Sequence, residues 1–255
     1  MKHNLFEFDV KKSEAVALTK KIVKDKDTRE KVILYVSTVV NYFFVIFQLY
    51  GGIRYKSVWF AALGAYYAVI TSVSLYIGLS RKKQGREAWR VFKTSGWVLA
   101  LANLALVVMI SVMIAAPGVA INNYSPVMAA GVTVWTFYLL ISAVIGIVKH
   151  WKEKNAIALA ENNVQLIGAA VSVLMLQTAM IASYGTQVIE EAKQALGQVG
   201  GAVSIPAGAE KMADEIIQVF VVSNRVTGVL VIIAVLAITV YMIVKGSREY
   251  RKFRR

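Results

Sequence analysis

Glu161, Asn162, Asn163 and Gln165 fall within five consecutive positions, inside a stretch (155–183) that is otherwise apolar. A carboxylate can bind a cation or carry a proton. Each amide adds a carbonyl acceptor and two N–H donors. On a helix, Glu161, Gln165, Gly168 and Ser172 recur at spacings of four, three and four, so they share one face. Ionisable and amide groups at membrane depth are costly unless they face protein or a wet cavity. The chemistry this pattern predicts is cation or proton binding in an inner vestibule, with Glu161 as the charged contact and Asn162, Asn163 and Gln165 beside it. A plainer reading stands next to it. The stretch is about 28 residues, roughly 42 Å of helix, against a hydrocarbon core of about 30 Å. Residues 166–184 alone would then cross the core, and Glu161 would lie at the inner interface.

Other polar residues sit within apolar runs. Asn41 and Gln48 are seven apart, on one face of the first run, Tyr66 and Tyr67 are mid-run in the second, and Asn103 is central in the third. Such groups hydrogen-bond between helices, and structural glue is the default expectation, with a hydrophilic pathway as the rival. Arg225, in Ser223-Asn224-Arg225, reads as an anchor at the outer interface, on the side opposite Glu161. There is no nucleophile–base pair, phosphate loop or carboxylate dyad, so no enzyme is expected. The chain has no cysteine, and its two histidines, His3 and His150, lie in charged segments. Neither a thiolate nor a histidine-rich metal or haem site is therefore expected inside the membrane, and no cofactor is implied.

The elements that must hold these residues are apolar helices. Of 255 residues, 57% are hydrophobic, more than a water-soluble domain of this length carries. Six runs, at about 32–53, 57–79, 95–116, 127–148, 156–183 and 219–244, each reach the roughly 20 residues needed to cross a bilayer. The expected fold is an all-α, six-span polytopic bundle, residues 32–244. Lys and Arg number 24 in residues 1–31, 80–94, 149–155 and 245–255, against four in the intervening outer segments. By the positive-inside rule both termini are cytoplasmic, in a plasma membrane. The net charge of +14 then reflects contact with anionic lipid headgroups, and not nucleic acid.

Residues 1–31 are mixed in charge and read as an amphipathic interfacial helix, and no secretory leader is expected. Residues 245–255 form a basic tail. The longest outer segment, 184–218, carries a net charge of −3. It reads as an external helical cap, with 187–196 helical, Gly200-Gly201, Pro206 and Gly208 as a turn, and 209–219 running into the sixth span. Small residues at four-residue spacing (Gly64 and Ala68, Ser142 and Gly146, Gly168 and Ser172) predict close helix packing.

Asn41, Gln48, Gly52 and Ser57, before an Ala-Leu-rich second run, resemble the first hairpin of the cation diffusion facilitators. Leu101-Ala102-Asn103 is similar to that family's third helix, and the run from Asn155 to Glu161 to the start of its fifth. The resemblance covers residues 31–183. It implies a six-helix transmembrane domain and a homodimer. The family's divalent-metal ligands would fall at Tyr66 and Ile70, and at Val164 and Gly168, none of them a ligand. Only residues 245–255 stand where the family has a C-terminal metal-binding domain. Metal transport is therefore not carried over.

Two functions emerge as expectations. One is a transporter-like protein of unspecified substrate, cation- or proton-linked through Glu161. The other is a non-transporting scaffold or accessory subunit that docks a partner through 184–218.

Overall fold

A computed structural model describes residues 26–115, 126–150, 155–181, 183 and 207–253. The described residues form six helices: α1 (Lys26–Arg54), α2 (Val58–Leu79), α3 (Gly85–Ala115), α4 (Pro126–His150), α5 (Ala156–Met180) and α6 (Ala207–Lys252). All six contain a stretch long and apolar enough to cross a membrane.

Helix ends follow local chemistry. Ser57 caps α2, its hydroxyl accepting from the Phe60 amide at 3.5 Å, and Asn155 caps α5, accepting from the Ile157 amide at 3.0 Å. Both satisfy amides that the first helical turn leaves without carbonyl partners. A tight turn comes after α2, with the Ser80 amide bonded to the Ile77 carbonyl (3.0 Å) and the Lys83 amide to that of Ser80 (2.9 Å). Gly85 takes the left-handed conformation (φ +56°) that lets α3 start at once.

Several helices outrun the expected spans. α3 begins ten residues before 95, because Ala88, Val91 and Phe92 are buried at helical spacing and continue the inward face beyond the apolar run. α6 extends past 219–244 at both ends. Its first part covers 207–218, the last third of the segment expected to form the cap, and continues unbroken into the sixth span. The amphipathic N-terminal segment, the cap helix at 187–196 and the 117–126 turn lie almost wholly outside the described residues.

The chain divides into two units, Met1–Phe43 and Phe44–Arg255. In the first, the described part of α1 exposes Val36, Val39 and Phe43, and its Ser37 and Thr38 hydroxyls donate to the Leu34 carbonyl at 2.9 and 2.7 Å. In the second, α3 packs along α6 and α4 along α5, while α5 also touches α2, α3 and α6. Buried aromatics knit one region of this unit. Phe44 stacks on Trp135 at 4.1 Å between ring centroids and meets Tyr67 edge-on at 5.5 Å.

Polarity is arranged inside out. Leu101, Val108, Ile145, Ile233 and Val244 are exposed, while Gln48, Asn103, Thr136, Ser172 and Thr239 are buried. Water would not tolerate that apolar exterior, whereas lipid matches it. α5 has the lowest mean hydropathy of the six candidate spans and is the most enclosed, with 61% of its apolar window buried against at most 50% elsewhere. The helix that carries the polar cluster is thus the one most fully wrapped in protein.

Candidate functional site

Glu161 lies about one and a half turns into α5. The turn after α2 delivers Arg81 to it, and Arg81 Nη2 stands 2.7 Å from Glu161 Oε1, with the two side chains 30% and 29% exposed. The carboxylate is therefore paired, at a half-open position at one end of the α2–α5 contact.

Its neighbours are less settled. Asn163 is buried and its Nδ2 has no hydrogen-bond partner among the described residues; the buried Oδ1 of half-buried Asn162 also has none. Asn162 and Gln165 turn towards α4, where a Cβ on Gly146 would stand 2.8 Å from Asn162 Oδ1 and 2.5 Å from Gln165 Oε1. Glycine at 146 is what admits those amides.

Further along α5, the Tyr67 hydroxyl donates to the Gly168 carbonyl at 3.1 Å. Gly168 is buried, yet a Cβ on it would meet no neighbouring atom within 4 Å. The small-residue spacing predicts a tight contact here, as Gly64 makes with Leu49 and Gln48. Gly168 instead borders open space within the bundle.

Ser172 is fully engaged. Its hydroxyl donates to the Ala169 carbonyl (2.8 Å), and its own carbonyl accepts from Thr136 on α4 (3.1 Å). Beyond it, Gln48 donates through Nε2 to Met175 Sδ at 2.9 Å, while its fully buried Oε1 has no hydrogen-bond partner among the described residues. Glu161, Gly168 and Met175, the contact of Gln48, thus recur along one face of α5, while Asn163 lies on the opposite face.

Tyr66 and Asn103 belong to a different cluster. The Tyr66 hydroxyl donates to Asn103 Oδ1 (2.8 Å), Asn103 Nδ2 donates to Thr239 Oγ1 (2.6 Å), and Thr239 donates to the Val235 carbonyl (2.7 Å). This chain ties α2, α3 and α6 together. Asn41 lies in the first unit. At the far end of α5, Gln177 donates to Ser223 (2.7 Å) and Thr178 to Asn224 (3.3 Å). Arg225 is the next residue, so it stands at the opposite end of α5 from Glu161.

Arg81, Thr136, Met175 and Thr239 are partners that residue pattern alone does not name. Arg81 is the first cation after an apolar run, a position that reads only as an orientation signal. Among the described residues, no cluster of His, Asp or Glu could hold a metal ion.

The described residues are all-helical, and their six helices long and apolar enough to cross a membrane mark an integral membrane protein. Compared with protein-family models, curated proteins and solved structures, the chain matches none.

Proposed function

We propose that this protein is transporter-like, with a path along the α2–α5 contact that opens on the cytoplasmic side of the plasma membrane, where both termini also lie. The observation that carries the reading is the open space at Gly168, deep in the most enclosed helix, with the Arg81–Glu161 pair at the end of the same contact. Glu161 binds a small cation or a proton. Either one weakens the hold of Arg81, because a neutralised carboxylate no longer attracts a guanidinium. Gln48 Oε1, without a partner among the described residues, supplies hydrogen-bonding capacity along the way, and Asn162 and Asn163 flank Glu161 in sequence. The substrate is a small cation or proton, and no divalent-metal site is invoked.

Reconstitution into sealed vesicles tests this. Wild-type protein should dissipate an imposed proton or monovalent-cation gradient, read by an entrapped dye, and Glu161→Gln should abolish that flux while the protein stays folded. Silence of the wild type towards protons and small cations would sink the transport reading.

A second reading is a non-transporting scaffold that docks a partner through 184–218. The completed Tyr66–Asn103–Thr239 chain favours it, since polar residues that all find partners have a structural role already. A stoichiometric partner that co-purifies with the intact protein, and is lost on deleting 184–206, would decide for it.

A further inference from the structure

At the end of the bundle that carries Arg81, α3 and α6 cross closely. A Cβ on Gly96 would lie 3.1 Å from Met242 Cβ, and one on Gly246 would lie 3.1 Å from Lys93 Cα. Glycine at both positions lets the helices approach this near. Just beyond the crossing, two cations converge on one ring. The Arg86 guanidinium carbon sits 4.9 Å from the Tyr250 centroid, and Lys93 Nζ sits 5.9 Å from the same centroid. Arg86 Nη2 also donates to the Tyr250 hydroxyl at 3.1 Å. Among the described residues, neither cation forms an ion pair, and the nearby Glu249 is engaged with Lys252 at 2.7 Å. A neutral aromatic face attracts each cation but does not cancel their mutual repulsion. Because the Tyr250 oxygen accepts from Arg86, its own O–H remains a donor. Guanidinium, ammonium and hydroxyl donors grouped around one ring supply the donor types that bind a phosphate group.

The side chains beyond Lys93 on α3 distinguish which kind of phosphate fits. Trp97, Leu101, Leu104 and Val108 continue from Lys93 at helical spacing, and they are 54%, 69%, 60% and 64% exposed. A cation, then an indole one turn further in, then aliphatic side chains: this is the order of headgroup, interface and acyl region in a bilayer. On α6, Lys245 repeats the arrangement. Its Nζ donates to the Tyr241 hydroxyl at 2.6 Å and lies 5.0 Å from that ring's centroid. A soluble phosphate would have no use for the apolar track.

We propose that the α3–α6 seam is a binding site for an anionic phospholipid, with Arg86, Lys93 and Tyr250 cradling the headgroup phosphate and an acyl chain lying along Trp97 and Leu101. The site is independent of the Glu161 chemistry, and it specifies one bound lipid, beyond general attraction to a charged membrane surface.

Titrating the purified full-length protein in detergent with phosphatidylglycerol, and separately with phosphatidylcholine, tests the proposal by native mass spectrometry. The wild type should retain phosphatidylglycerol preferentially. Arg86→Gln and Lys93→Gln should each weaken that retention about fivefold, and the double variant about 25-fold, with phosphatidylcholine unaffected. Lys56→Gln, an exposed cation on the α1–α2 turn, should change nothing. If the double variant does not purify as a folded protein, Arg86→Lys carries the test: it keeps the charge, loses the planar contact with Tyr250, and should still weaken retention measurably. Wild-type retention in the folded variants overturns the proposal. So does full displacement of phosphatidylglycerol by millimolar inorganic phosphate, which would mark a site for a soluble anion.

Discussion

Tyr66 and Tyr67 are neighbours on α2, both buried, and they serve two unlike regions. Tyr66 opens a completed chain through Asn103 to Thr239, in which each hydroxyl and amide hydrogen bond lands on another helix or on its own backbone. Tyr67 reaches the Gly168 carbonyl beside open space, in the region where Gln48 meets α5 with its Oε1 unpartnered among the described residues. The residue types are the same in both, tyrosine and primary amides among apolar side chains. Consecutive helical residues point about 100° apart, so a single step in sequence separates a joint that holds three helices from a seam that is only partly filled. Buried polar residues in a membrane bundle are not evidence of a pathway by themselves. The distinguishing mark is whether their hydrogen bonds close.

The largest contrast should come from the charged end of the open seam. Arg81→Gln leaves Glu161 without its partner, and Glu161→Gln does the reverse. Both groups are about 30% exposed, so water screens the pair and the stability change should stay below about 1 kcal/mol. Flux in vesicles should nevertheless fall at least about tenfold for Glu161→Gln, about 1.4 kcal/mol of barrier. A variant that transports like wild type would mean the ion pair is only an interfacial clasp.

Filling the seam is the next strongest perturbation. Gly168→Ala places a methyl where no neighbour lies within 4 Å, and it should raise stability by about 0.5–1 kcal/mol through lower chain entropy. Gly168→Leu should occupy the space and suppress flux while the protein remains folded by circular dichroism. Should both variants strongly destabilise the protein, the space at Gly168 is not open in the native state.

Much of this architecture was legible in the residues. Six apolar runs predict six helices because a membrane span must be long, apolar and internally hydrogen-bonded. The ends were harder to read. α3 and α6 continue past their apolar runs through segments such as 85–94, where charged residues alternate with the buried Ala88, Val91 and Phe92. A hydropathy boundary marks where lipid contact ends, not where helical packing ends. The Glu161 cluster stood out because ionisable groups are rare within spans. Its partner Arg81, 80 positions earlier, was hidden in a loop whose cations all read as orientation signals. Nor does any residue type announce the space at Gly168: Gly64 and Gly146 share its small-residue spacing and are tightly packed. Close packing and open space differ only in what the opposite helix presents.

The closed chain should respond in the other direction, through stability and not through flux. Asn103→Leu strands the Tyr66 hydroxyl in an apolar interior and should cost about 1–3 kcal/mol in a reversible unfolding assay. A double-mutant cycle of Tyr66→Phe with Asn103→Leu should return a coupling of about 0.6 kcal/mol, and no more than about 1.7. A coupling near zero would mean that the 2.8 Å contact contributes nothing and that the two regions differ less than their geometry indicates.

The smallest effect is the most discriminating between the two regions. Gln48 is fully buried, and its Oε1 has no hydrogen-bond partner among the described residues. If the residue were there for stability, half of its amide would be working against it, since an unsatisfied buried carbonyl retains its full desolvation cost. Gln48→Leu removes that oxygen together with a weak N–H to sulfur contact, and should therefore leave stability within about 0.5 kcal/mol of wild type, or raise it. Under the transport reading the same substitution removes a polar contact from the seam and slows flux. Under the scaffold reading it changes nothing measurable. A marked loss of stability in Gln48→Leu would instead place Gln48 with Tyr66 and Asn103, as part of what holds the bundle together.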